Sequence, residues 1–187
     1  VTQLVRWLRK ARQAGVHEPD AMTLATASRR GRPSARMVLL RGLDARGLTF
    51  FTNYGSRKGV DLAANPRAAV VFYWQTLGCQ IRVEGRVTRL SPRDSDRYFA
   101  SRPRQAQLAA AASNQSGPIR DRAALLARFR ALTRRYAGRE VPRPLHWGGF
   151  RLKPDAFEFW HSRPYRLHDR IRYERSARSW KSARLAP

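Results

Sequence analysis

The sequence predicts a mainly β protein with helices inserted between the strands, an α+β arrangement curled into a small barrel. Three observations predict it. Short runs rich in Val, Ile, Leu and aromatic residues recur along the chain, bounded by Gly, Pro, Asn or Ser. Most of these runs follow one another without a helical crossover, which argues against a doubly wound parallel sheet. Segments with helical periodicity are few and fall between strands instead of alternating with them.

The elements follow in order. Leu4, Val5, Leu8 and Ala11 form one apolar stripe, so residues 2–14 read as a helix that Gly15 stops. Strands are predicted over 21–28, 34–41 and 47–52, the first two joined by the turn Arg29-Arg30-Gly31-Arg32. Ser56 is placed to cap a short helix running to Ala64, which Asn65-Pro66 ends. Two further strands cover 67–74 and 79–90. Ser91-Pro92 is a helix start, Ser as cap and Pro in the first turn, for a helical stretch over 92–112 broken near Arg102-Pro103. Pro118 precedes a helix over 119–137, ended by Gly138. After a loop marked by Pro142 and Pro144, strands are expected over 146–153, 155–161, 166–175 and 179–185.

Length and composition bound the rest. A chain of 187 residues with 42% hydrophobic content fits one domain, 1–187, able to bury a core. No apolar run approaches the ~20 residues that span a bilayer. The single Cys79 forms no internal disulfide, so a cytoplasmic location is expected. The net charge is +25, from 38 basic and 13 acidic residues, and only Lys10, Lys58, Lys153 and Lys181 are lysines. Such a surface attracts polyanions, and a nucleic-acid-binding barrel is one reading of it. The arginines are spread along the chain instead of gathered in a tail or helix, so compositional drift on a solvated surface accounts for them better. Nucleic acid is expected to bind only non-specifically.

Several chemistries are excluded. There is no Gly-x-Gly-x-x-Gly, no Walker loop and no nucleophile elbow. Cys79 and the four histidines lack zinc-site spacing, so no metal is expected. The acidic residues are too scattered for a carboxylate-pair mechanism.

Other patterns carry chemistry. Arg166, His168 and Arg170 alternate, so a strand through them would aim all three at one site, cationic and with one group titrating near neutrality. An exposed arginine-rich strand edge would look the same. Gly55-Ser56-Arg57-Lys58 opens a helix, where free backbone N–H groups and two cations form a phosphate cradle. An ordinary basic first turn is the plain alternative. Tyr98 and Arg102, four residues apart on a helix, share a face and could grip a second phosphate. Gln80 lies within an apolar strand and wants a partner.

These segments, together with Arg36-Met37-Val38-Leu39-Leu40-Arg41, Phe51-Thr52-Asn53, Asn65-Pro66-Arg67, Trp74-x-Thr76-Leu77, Ser101-Arg102-Pro103-Arg104, Gln115-Ser116, Trp147-Gly148-Gly149-Phe150, Glu158-Phe159-Trp160 and Arg184-Leu185-Ala186-Pro187, stand in one order. In that order and at those spacings, from about residue 4 to the end, the chain resembles the pyridoxine/pyridoxamine 5′-phosphate oxidases. The resemblance implies an FMN-binding split β-barrel and a homodimer with FMN at the subunit interface. It implies that Arg36, Met37, Val38, Leu39, Leu40, Arg41, Phe51, Thr52, Arg57 and Lys58 hold FMN. Gln80, Gln115, Ser116, Trp160 and Arg170 would complete that site, some of them from the partner chain. Arg41, Tyr98 and Arg102 would hold the substrate, with Arg166 and His168 as catalytic residues facing its pyridine ring. The implied reaction is oxidation of pyridoxamine or pyridoxine 5′-phosphate to pyridoxal 5′-phosphate, with O₂ as acceptor and H₂O₂ as product. An FMN oxidase of phenazine biosynthesis is the sister alternative. Two positions depart from the family: Arg41 stands where Lys is usual and Ala106 where Ser is usual. The family's N-terminal arm, which covers the substrate, would precede Val1.

Overall fold

The computed structural model describes residues 1–177 and 179–187. Among them, nine strands form one antiparallel sheet: β1 (Ala21–Ala27), β2 (Pro33–Leu39), β3 (Gly42–Asp44), β4 (Gly47–Asn53), β5 (Arg67–Trp74), β6 (Cys79–Arg89), β7 (Trp147–His161), β8 (Asp169–Arg175) and β9 (Trp180–Arg184). The strand order is β2-β1-β5-β6-β7-β4-β3, with β8 and β9 added beside β7. The helices are α1 (Thr2–Gln13), α2 (Arg57–Ala64), α3 (Pro92–Ala100), α4 (Arg104–Ala112) and α5 (Arg122–Arg135).

Alternation explains the curl. On β6, Cys79, Ile81, Val83 and Val87 are buried while their neighbours are less so. Met22 and Leu24 of β1, Val70 and Phe72 of β5, and Phe157 and Phe159 of β7 point to the same interior. Leu4, Leu8 and Ala11 of α1 pack against this cluster. A smaller core of Phe99, Leu108, Val141 and Trp147 lies under the helices α3–α5. Caps set the helix starts: Ser56 Oγ accepts from Gly59 N–H, Ser91 Oγ from Asp94 N–H at 3.0 Å, and Asp121 Oδ1 from Ala124 N–H at 2.7 Å.

The structure corrects the sequence reading at four places. The expected strands 146–153 and 155–161 are one strand, β7. Pro154 has no N–H to give, but it sits at a β-bulge opposite Gly85, where the ladder skips a residue and the missing donor costs nothing. A Cβ on Gly85 would collide with the Lys153 carbonyl, so the bulge needs glycine there. A three-residue strand, β3, pairs with β4 and was too short to show periodicity. Residues 119–121 stay outside α5, because Asp121 caps it. The break expected near Arg102-Pro103 is present, and it divides the 92–112 stretch into α3 and α4.

The fourth correction concerns the site. Arg166 and His168 are not on a strand. Residues 164–167 form a tight turn, its Leu167 N–H donating to the Pro164 carbonyl at 3.1 Å, and β8 begins only at Asp169. Pro164 disfavours the ladder, and Tyr165 and Arg166 both take left-handed backbone, φ 58° and 64°. Only Arg170 of the alternating triplet lies on the strand.

Candidate functional site

The barrel has a seam. β2 and β3 are the two ends of the strand order, yet only Leu40 and Arg41 separate them in sequence. The Arg41 N–H donates to the Thr49 carbonyl at 2.8 Å, which draws the strands together at one end. Farther along, β2 pairs with β1 alone. Between β2 and the end of β4 opens a cavity of about 720 Å³.

Most of the expected residues meet in this cavity. Arg36, Met37, Val38 and Leu39 supply one wall from β2; Phe51 and Thr52 supply another from β4. Arg57 and Lys58 enter from the first turn of α2, Tyr98 and Arg102 from α3 and the residues just after it, and Gln115 and Ser116 from the loop after α4. Arg41 stands at the rim. Leu40 sends its side chain into the core instead, 5% exposed. The reading from sequence gave no role to Asn53, Ser113 or Trp147, which also line the cavity. The Trp147-Gly148-Gly149-Phe150 motif marked the last of these.

The electrostatics are lopsided. Lys58 is 7% exposed, and its Nζ donates to Thr52 Oγ1 at 3.2 Å, Ser56 Oγ at 3.2 Å and Gln115 Oε1 at 3.1 Å. All three acceptors are neutral. Burial pushes the Lys58 ammonium below its ordinary pKa, and the Arg36 charge adds to that. Arg36 and Arg57 share one carboxylate, buried Asp61, at 3.9 and 3.4 Å. Arg36 is held further by Thr26 Oγ1 at 2.8 Å and Ser34 Oγ at 2.8 Å. Three cations thus face one anion at this end of the cavity. The i,i+4 spacing of Arg57 and Asp61 was the sequence signal for Asp61.

The other end is aromatic and cationic. Tyr98 stacks on Phe51 with centroids 3.8 Å apart, and Phe51 on Trp147 at 5.5 Å. The Arg102 guanidinium lies over the Trp147 ring at 4.7 Å, and its Nη1 is buried without a hydrogen-bond partner among the described residues. Burial lowers the Arg102 pKa; Tyr98 opposes that and Arg41 reinforces it. A buried donor without an acceptor calls for one from outside the chain.

Gln80, Trp160, Arg166, His168 and Arg170 do not line this cavity. Gln80 pairs with Trp160 across β6 and β7, and Trp160 with Arg170 across β7 and β8, so these three side chains share one sheet face. The His168 ring packs on Trp160 at 4.6 Å. Arg170 is anchored from behind: Nε donates to Glu158 Oε1 at 2.9 Å and Nη1 to the Ala186 carbonyl at 2.8 Å. Glu158 is 3% exposed and also meets Arg82 at 3.4 Å and Arg172 at 4.0 Å. A carboxylate between two buried phenylalanines was the signal for it in the sequence. The turn beside this constellation carries two consecutive left-handed residues, a conformation costing about 1–2 kcal/mol each in non-glycine residues.

An antiparallel sheet curled around an open seam, with a cavity in that seam, is the split-barrel class. A structure from Nostoc punctiforme PCC 73102, described as a pyridoxamine 5′-phosphate oxidase-related, FMN binding protein, shares that fold with TM-score 0.79 at 19% identity, over 100% of this chain and 96% of that one. Residues 8–136 match the model of the pyridoxamine 5′-phosphate oxidases, and residues 147–187 match the pyridoxine 5′-phosphate oxidase C-terminal dimerisation region. The chain belongs to the pyridoxine/pyridoxamine 5′-phosphate oxidase family. A pyridoxine/pyridoxamine 5′-phosphate oxidase from Rubrobacter xylanophilus is 52% identical, covering 100% of this chain and 86% of that protein. One of the same name from Burkholderia lata is 54% identical over 99% of this chain and 87% of its own length. PhzG from Burkholderia lata 383, solved in complex with tetrahydrophenazine-1-carboxylic acid, superposes with TM-score 0.95 at 39% identity, over 100% of this chain and 91% of that one.

Proposed function

We propose that the protein is an FMN-dependent oxidase that converts pyridoxamine 5′-phosphate and pyridoxine 5′-phosphate to pyridoxal 5′-phosphate, with O₂ as acceptor and H₂O₂ as product; the amine substrate also consumes water and releases ammonia. The observation that carries this reading is the buried Lys58 ammonium with three neutral acceptors and no carboxylate of its own. It fits a phosphate, and FMN brings one. Lys58, Arg57 and Arg36 would hold that phosphate at the start of α2, where the helix N–H groups favour an anion. The edge backbone of β2 would meet the polar rim of the ring system, and Phe51, Thr52, Gln115 and Ser116 would close around it.

FMN, when bound, supplies the two-electron acceptor for the carbon being oxidised. The chain's own residues bind and orient. Arg102 Nη1, left without an acceptor, would take the substrate phosphate with Tyr98 and Arg41. Arg166 and His168 would hold the pyridine ring over the flavin, a placement that provides near-attack geometry. These two belong to the constellation outside the chain's own cavity, and that constellation lies within the 147–187 region that matches the dimerisation model. A homodimer in which each subunit's constellation completes the other's cavity reconciles the two halves.

A second reading is an FMN oxidase acting on a phenazine-type ring. The high superposition on PhzG favours it, and Ala106 on α4 offers no hydroxyl to a substrate phosphate. The identity to the pyridoxine/pyridoxamine 5′-phosphate oxidases, 52% and 54% against 39%, favours the first. The deciding experiment is peroxide release from the FMN-loaded protein with pyridoxamine 5′-phosphate, pyridoxine 5′-phosphate and a dihydrophenazine carboxylate. Turnover confined to the last of these would overturn the proposal.

A further inference from the structure

The turn that carries Arg166 and His168 is held closed by a carboxylate not yet assigned a role. Tyr165 and Arg166 are both left-handed, so the turn does not sit in its own preferred conformation and depends on whatever closes it. Asp169 closes it. One oxygen, Oδ2, accepts from Arg163 Nε at 2.6 Å; the other, Oδ1, accepts from Arg184 Nη1 at 2.6 Å. One side chain thus ties the residue before the turn to β9. The same Arg163 donates its backbone N–H to His168 Nδ1 at 3.1 Å. An imidazole that accepts at Nδ1 carries its hydrogen on Nε2 when neutral. The Trp160 ring, 4.6 Å away, backs the imidazole.

We propose that Asp169 is a positioning residue: by fixing Arg163 it sets His168 as the Nε2–H tautomer, so that His168 presents a hydrogen-bond donor to the substrate. The role in turnover rests on the reading of Arg166 and His168 as substrate contacts; the tautomer does not. Asp169, Arg163 and Arg184 are all partly exposed, and exposed ion pairs contribute little to global stability. Replacing the carboxylate therefore tests geometry without unfolding the chain.

The experiment uses the FMN-loaded protein labelled with ¹⁵N-histidine at about pH 8.5, above the ordinary imidazole range. In the unaltered protein the His168 signals are expected to report hydrogen on Nε2. In Asp169→Asn they should report a mixture of tautomers. The same variant should lose at least tenfold in kcat/KM for pyridoxamine 5′-phosphate, mostly in kcat, while FMN affinity stays within twofold. Asp169→Glu, which keeps the charge, should recover part of the loss. Hydrogen on Nδ1 in the unaltered protein overturns the proposal, and so does Asp169→Asn with unaltered tautomer and kinetics. If the unaltered protein does not oxidise pyridoxamine 5′-phosphate, the proposed function fails, and the tautomer in the two proteins still decides the role of Asp169.

Discussion

Lys58→Met separates binding from folding more sharply than any other change in the cavity. In the folded chain Nζ makes three bonds of 3.1–3.2 Å, all to neutral oxygens. Removing it leaves none of those oxygens stranded. Thr52 Oγ1 still donates to Gln115 Oε1 at 3.0 Å, and Ser56 Oγ still donates to the Asn53 carbonyl at 2.6 Å while accepting from Gly59 N–H. Methionine fills most of the volume and removes a buried charge that Arg36 repels. The protein without FMN should therefore be as stable as before or more so, by up to ~1 kcal/mol, a rise of roughly 2–4 °C in Tm for a chain of this size. FMN binding should suffer. A hydrogen bond to a charged group is worth about 1.5–3 kcal/mol, so the Kd should rise roughly 10- to 150-fold. Flavin fluorescence titration and calorimetry of the FMN-free protein measure the two quantities. An unchanged Kd refutes the phosphate assignment; a Tm lowered by more than ~5 °C refutes the account of Lys58 as a strained, uncompensated charge.

Three further outcomes are expected. Arg166→Ala should lower kcat/KM for pyridoxamine 5′-phosphate by about a hundredfold, through loss of a charged contact of ~2–3 kcal/mol, and His168→Ala by less; both should keep FMN, as absorbance of the purified protein will report. Sedimentation in high salt, which screens the +25 surface, should find a dimer carrying stoichiometric FMN, and a monomer that retains FMN would remove the need for a shared site. The hydrogen bonds from Arg163 and Arg184 hold the Asp169 carboxyl below the usual carboxylate range. Its contribution is then complete above the unfolded value of about 3.9 and is lost as pH falls through the lower folded value, so the Asp169 carboxyl carbon signal, followed by NMR, should stay constant at neutral pH and titrate only in strong acid.

The sheet was legible because its strands announce themselves. β1 and β6 carry the alternation that a one-sided sheet demands, β5 is a run of apolar and aromatic residues, and Ser56, Ser91 and Pro92 mark helix starts by backbone chemistry that acts locally. The cavity was legible for the same reason where its residues sit on such elements: Arg36 on β2, Lys58 on α2, Tyr98 on α3. Three things lay outside that reach. Pro154 looked like a strand break because the bulge that excuses it depends on Gly85, far away in sequence. Arg166 and His168 looked like strand residues because alternation in sequence does not report backbone handedness. Asp61 and Glu158 each left a local trace in the sequence, but that each is buried under arginines depends on residues distant in sequence, Arg36 for one and Arg82 for the other.

The open flank of β2 has a consequence for the protein before it meets its cofactor. Met37, 61% exposed, stands on a strand bonded on one side only, at the wall of the cavity. Such an edge is a template for intermolecular strand addition, and arginines at 32, 36 and 41 are the kind of gatekeepers that discourage it. A ligand that fills the seam would cover part of this edge and reduce the surface open to strand addition. The fraction of protein recovered soluble from cells should accordingly follow their supply of riboflavin.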